Sequence, residues 1–144
     1  MTTARIAVDF GLVVLIWLVQ LIIYPSFQYM SADQLAAWHP KYSNLITLIV
    51  GPLMLAQVGL IGWELLSRFS WLTAASAVLV GLMWASTAFQ AVPIHNAIAA
   101  GDATPETLSR LVSVNWVRTV GWTVVFGLGV LSRLRDLTNN LPNV

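Results

Sequence analysis

Four stretches of this chain, residues 6–24, 42–66, 71–91 and 111–131, are long enough and apolar enough to cross a bilayer, and this constrains the fold more than any other feature. About 30 Å of hydrocarbon takes on the order of 20 helical residues to span. Inside hydrocarbon no water reaches backbone N–H and C=O groups, so a spanning segment satisfies them within itself or in a closed barrel. Barrel strands are shorter and alternate strictly between apolar and polar residues. These segments do neither, so each is expected to be a helix despite many β-branched residues. Composition agrees, since 58% of the 144 residues are hydrophobic and 9% charged, against about a quarter charged in a soluble domain. The expected fold is all-α: a polytopic membrane four-helix bundle forming one domain over residues 1–144.

The few cations set the expected orientation. Arg5, Arg68, Arg133 and Arg135 fall at one end of the bundle, and Lys41 and Arg110 at the other. The Arg-rich side is expected to be cytoplasmic, which makes the chain N-in and C-in. Trp63 and Trp71 suit the inner interface, Trp38 and Trp116 the outer one. The N-terminus does not read as a cleavable signal: its apolar stretch is too long, and Tyr24-Pro25-Ser26-Phe27 stands where small residues would be needed.

Several function classes are excluded or unsupported. A net charge of +1 with dispersed cations gives no basis for nucleic-acid binding. The absence of cysteine removes disulfides, thiolate nucleophiles and thiolate metal sites. There is no G-x-S-x-G elbow, H-E-x-x-H motif, Gly-rich phosphate loop or ladder of arginines.

The two outer connections carry more signal. After Pro25, Ser31-Ala32-Asp33-Gln34 has the pattern of a capping box, predicting a short interfacial helix in the first outer loop that ends near His39-Pro40. After Pro93, His95 and Asn96, the run Thr104-Pro105-Glu106 predicts a helix start, so the fourth helix begins near Pro105 and protrudes before entering the bilayer. Each half thus reads helix, proline exit, histidine, proline entry, helix. Ala74, Ala77, Gly81, Ala85 and Ala88 place small residues along the third helix, where they permit close helix approach.

Polar side chains are costly in lipid, so each calls for an account. Arg5 with Asp9, Glu64 with Arg68, and Glu106 with Arg110 have the spacing of helical ion pairs and are read as interfacial anchors. A second set lies toward the outer side: Gln20, Tyr24, His39, Tyr42, Gln57, Gln90, His95, Asn96, Asn115 and Arg118. Asn115, Arg118 and Trp122 share one face of the fourth helix. Arg118 either snorkels to the interface or turns inward to organise a polar site. The inward orientation is expected, with Val117, Val120 and Val124 left to lipid.

His39 and His95 are the histidines of the chain, and both fall on the outer side. Two histidines from different helices are a weak metal signal, since a non-haem site needs further ligands. Axial haem ligation or a metal site at this pair is the lesser reading; no metal and no cofactor are expected.

Two stretches carry a family resemblance. His39, the run Ile46-Thr47 through Gly51-Pro52-Leu53-Met54-Leu55, and the block Pro93-Ile94-His95-Asn96 through Leu111 to Thr119 resemble a family of uncharacterised bacterial four-helix integral membrane proteins, neighbours of the anthrone-oxygenase-like small membrane proteins. Asn115-Trp116-Val117-Arg118-Thr119 is its most specific part. The resemblance implies the four-helix fold, an outer polar pocket and the inner (plasma) membrane of a bacterium. Members of that family often carry further histidines near the first two helices and a glutamate in the second. Ile23, Tyr42 and Gln57 stand at those positions here, which speaks against metal catalysis. The anthrone-oxygenase relatives imply cofactor-free oxidation of an aromatic polyketide.

Two readings follow. In the first, an outer-leaflet pocket lined by Tyr24, His39, Tyr42, Gln57, His95, Asn96, Asn115, Arg118 and Trp122 binds, or oxidises, a lipophilic small molecule. If it is an oxygenase, His39 or His95 is the general base, while Arg118 and Asn115 stabilise a developing enolate or phenolate. In the second, the chain is a structural or interaction subunit of a membrane complex, and the same polar residues tie its helices together.

Overall fold

The computed structural model describes residues 3–139. Among them, four helices are long and apolar enough to cross a membrane: α1 Thr3–Tyr29, α2 Ala32–Ser67, α3 Trp71–Ala99 and α4 Pro105–Asn139. The protein is thus an all-helical bundle with the character of an integral membrane protein. The four helices bring Thr3 and Asn139 to one end of the bundle, called proximal below; the α1–α2 and α3–α4 turns lie at the distal end.

The starts of α2, α3 and α4 are capped by side-chain hydroxyls. Ser31 accepts from the Gln34 backbone N–H while its own N–H donates to Gln34 Oε1, a reciprocal capping box. Ser70 accepts from Thr73 N–H, and Thr104 from Thr107 N–H ahead of Pro105. The α3–α4 turn runs through Gly101, whose φ of 96° is a conformation glycine adopts without steric cost. The segment expected as a separate interfacial helix is instead the first part of α2, which runs unbroken through Pro40 and Pro52. A proline removes one backbone donor, and the turns before Pro40 are already held by the capping box and by burial of Leu35 and His39.

α1 and α3 share an irregularity. Each contains a π turn, Val19–Ile23 and Thr87–Ala91, placed at the same offset ahead of Pro25 and Pro93. A proline ring clashes with the carbonyl four residues back in a regular helix, and a π turn opens the backbone there by one residue. The inserted residue rotates everything that follows. In α1 it turns Tyr24 and Phe27 inward while Leu21 and Ile22 stay exposed. In α3, Ala91, Ile94 and Ile98 are buried while Phe89 faces outward.

Apolar side chains pack in three layers. The distal layer holds Phe27, Leu35, Tyr42, Ile94 and Leu111; the middle one Leu12, Ile16, Met54, Met83 and Trp122; the proximal one Ile61, Val80 and Val125. α3 meets the core through Thr73, Ser76, Val80 and Met83. Ala77 and Gly81 of the small-residue stripe border an apolar groove against Gly62 of α2. The close helix approach lies elsewhere, at Gly121 of α4. A Cβ there would stand 2.2 Å from Met83 Sδ.

Polar contacts knit the layers. Trp17 Nε1–H donates to Thr123 Oγ1 at 3.1 Å, and Asn115 Nδ2–H to Gln20 Oε1 at 2.8 Å, both joining α1 to α4. At the proximal end Arg5, Asp9 and Glu64 are not surface anchors. Arg5 is 1% exposed and donates to Asp9 Oδ2 at 3.3 Å and Glu64 Oε2 at 2.8 Å. Glu64 therefore pairs across helices with Arg5, while Arg68 is exposed. Helical spacing alone favoured the i,i+4 partner, but α2 turns Glu64 toward α1.

Breaking a buried ion pair by removing one partner costs about 3–5 kcal/mol, because the other charge remains buried. Arg5→Ala is therefore expected to lower thermal stability in detergent by that order, and Arg68→Ala to stay within about 0.5 kcal/mol. Comparable melting curves for the two variants would show that Arg5 is an anchor after all.

Candidate functional site

At the distal end each of the four helices contributes to one polar cluster. Tyr24 arrives from α1 just past the π turn, His39 from the first turns of α2, His95 from α3 beyond its own π turn, and Asn115 and Arg118 from α4. Arg118 is turned inward and is 6% exposed. Val117, Val120 and Val124 lie on the exposed side of α4 at 54%, 55% and 44%.

The contacts form a chain. One Arg118 Nη2 donates to Asn115 Oδ1 and, at 3.3 Å, to Tyr24 Oη. Tyr24 Oη lies 2.9 Å from His95 Nε2, and His95 Nδ1 lies 2.9 Å from His39 Nε2. The two imidazoles are stacked, with centroids 5.1 Å apart, and Phe27 meets His39 edge-on. Behind Arg118, Asn115 and Thr119 both donate to Gln20 Oε1, and Gln20 Nε2–H donates to the Val112 carbonyl.

Donor and acceptor roles follow from chemistry. Arginine only donates, so Tyr24 Oη accepts from Arg118. With its own proton directed along the chain, Tyr24 donates to His95 Nε2. A neutral His95 then carries its proton on Nδ1 and donates to His39 Nε2, which leaves the His39 proton on Nδ1. This direction is assigned from the hydrogen-bond network. Among the described residues, no group of three or more His, Asp or Glu side chains is placed to hold a metal.

Beside the chain lies a cavity of about 400 Å³, within the range of small-molecule sites. Tyr24, Tyr42, His95, Asn96, Arg118 and Trp122 line it. Of the other residues expected there, His39 sits behind His95 and Asn115 behind Arg118, without reaching the cavity. Gln57 is a correction. It is fully buried, donates to Asp9 Oδ1 at 2.7 Å and accepts from Trp122 Nε1–H at 3.1 Å. It belongs to the proximal network, because its position on α2 points it at α1 below the cavity.

Ser43, Thr47, Gly51 and Thr87 also line the cavity. They are small and weakly polar, and only the phase of α2 and the π turn of α3 reveal them. Three buried polar atoms at this end have no hydrogen-bond partner among the described residues: Arg118 Nε, His39 Nδ1 and Ser43 Oγ.

Arg118 thus anchors the chain, and its planar fork is not replaced by a lysine point charge. Arg118→Ala and Arg118→Lys are both expected to lose about 1–3 kcal/mol of stability in detergent. Arg110→Ala, on the exposed face of α4, should be near neutral. Equal, near-neutral melting of Arg118→Ala and Arg110→Ala would remove the anchor from the site.

Comparison with known protein families, with curated proteins and with solved structures finds no match for this chain.

Proposed function

We propose that this protein binds a lipophilic small molecule in the distal cavity, with Arg118, Tyr24 and His95 at its polar end and Trp122 on its apolar wall. The observation that carries the reading is the coexistence in one cavity of an apolar lining and a nearly buried guanidinium with a partnerless Nε. A guanidinium on a bundle wall is costly, and a ligand acceptor in the cavity would compensate it. Thr47, Val92 and Asn96 at the rim are exposed between α2 and α3, so entry is lateral, from the bilayer. If the molecule is also transformed, as resemblance to the anthrone-oxygenase-like proteins implies, His95 is the base, taking up a proton through the Tyr24 hydroxyl that lines the cavity. His39 then takes part through His95. No haem or metal is required in this reading.

We further propose an N-in, C-in orientation in a bacterial inner membrane, which places the cavity in the outer leaflet. Arg68, Arg133 and Arg135 at the proximal end support it. The alternative, a non-enzymatic subunit of a membrane complex, is favoured by one feature. The apolar groove of about 430 Å³ between α2 and α3 is shaped by Gly62, Ala77 and Gly81, residues that admit a partner helix.

Gly51 supplies the test of the cavity. A Cβ added there meets nothing within 4 Å, so Gly51→Leu should fill the cavity while leaving the helix intact. Mass spectrometry of the mildly purified protein is expected to find a co-purifying lipophilic molecule in the wild type and to lose it in Gly51→Leu. Retention of the same molecule by the folded variant, or stoichiometric co-purification of a membrane subunit with no small molecule, would favour the alternative. Orientation is tested by Ala103→Cys in this cysteine-free chain, which is expected to react with an impermeant maleimide from the outside; labelling from the cytoplasm alone inverts the topology.

A further inference from the structure

The cavity also indicates the kind of head group it takes. Resting on the reading of the cavity as a binding site, we propose that its ligand is an amphiphilic monoanion, a carboxylate on an aliphatic body, with the carboxylate seated on Arg118 and Ser43. Arg118 is 6% exposed, and its hydrogen-bond partners, Tyr24 and Asn115, are neutral side chains. Among the described residues, the ion pairs Arg5–Asp9 and Arg5–Glu64 lie in the proximal network, and no carboxylate is paired with Arg118. Neutral acceptors satisfy donors one at a time but leave the charge uncompensated in a medium where isolated charge is expensive. An anion supplies what they do not.

The donors are matched to a carboxylate rather than to a larger head. Arg118 and Ser43 both line the cavity, and Arg118 Nε–H and Ser43 Oγ–H are without hydrogen-bond partners among the described residues. In the proposed complex the two side chains turn to the carboxylate, one donor to each oxygen. Arg118 is the one cation among the lining residues, and a phosphate dianion calls for more positive charge than a single guanidinium. A cationic head would be repelled. Away from Arg118 the walls are Ile16, Val19, Ile46, Val50 and Met54, which suit a hydrocarbon body. The exposed rim residues Thr47 and Val92 let the rest of the chain lie in lipid.

The test uses the full chain in nanodiscs with three spin-labelled probes: stearic acid at a pH where it is ionised, its methyl ester, and a phosphatidic acid. Electron paramagnetic resonance reads the immobilised fraction, with empty nanodiscs subtracted. Wild type is expected to hold the carboxylate about tenfold or more tighter than the ester, the scale of a hydrogen-bonded charge, and tighter than the phosphate probe. Arg118→Gln should abolish the preference, and Ser43→Ala should reduce it without the risk to folding that the buried arginine carries. Equal binding of acid and ester in wild type, both lost in Gly51→Leu, overturns the carboxylate and leaves the cavity reading standing. Tighter phosphatidic acid also overturns it. Immobilisation of none of the three, or binding indifferent to Gly51→Leu, overturns both. The wild-type comparison of acid and ester decides the matter even if Arg118→Gln does not fold.

Discussion

A guanidinium inside an apolar bundle has no water on which to place its donors, and the distal half of this protein is arranged around that constraint. Arg118 reaches Tyr24 of α1 and Asn115 of its own helix. Tyr24 in turn fixes His95, and His95 fixes His39. Asn115 and Thr119 converge on Gln20. Individual hydrogen bonds between membrane helices contribute on average only about 0.6 kcal/mol, so this network is not what drives the helices together. Its effect is to select one arrangement among many packings of similar apolar surface. A bundle rotated by a single residue would leave the guanidinium among valines.

The π turns supply that rotation. Without the extra residue ahead of Pro25, the phase set by Leu12 and Ile16 would present a different residue where Tyr24 now stands. The corresponding turn ahead of Pro93 does the same for the segment that carries His95. Two prolines that would weaken helices in water are tolerated here because the backbone groups they disturb are taken up locally. The recurrence of helix, π turn and proline in α1 and α3, followed by Ser31- and Thr104-capped entries to α2 and α4, gives the halves a matching plan at the level of backbone.

Much of this was legible in the sequence, for identifiable reasons. The helices follow from apolar length, and the starts of α2 and α4 from Ser31 and Thr104. The inward face of α4 follows from the spacing of Asn115, Arg118 and Trp122 against three valines. Four things were not legible. The partner of Glu64 was misread because Arg68 and Arg5 are equally good cations and only the α1–α2 packing distinguishes them. Gln57 was placed in the distal cluster because its depth in the second span is similar; its direction depends on how α2 is rotated. The meeting of His39 with His95 required two π- or proline-altered segments to converge, which no spacing rule predicts. Ser43, Thr47 and Gly51 carry no chemistry that singles them out in sequence.

The two polar networks are built from different groups and meet at one residue. In the proximal one, Gln57 uses its amide oxygen for Trp122 and its amide nitrogen for Asp9, and Arg5 spans two carboxylates. In the distal one, Arg118 Nε, His39 Nδ1 and Ser43 Oγ are buried without partners among the described residues. Native proteins satisfy the great majority of buried polar atoms, and each exception calls for an explanation. Of the three, Arg118 and Ser43 line the cavity. Trp122 joins the two regions: its ring is a wall of the cavity and its N–H is held by Gln57. The proximal network thus fixes one wall of the distal cavity from below.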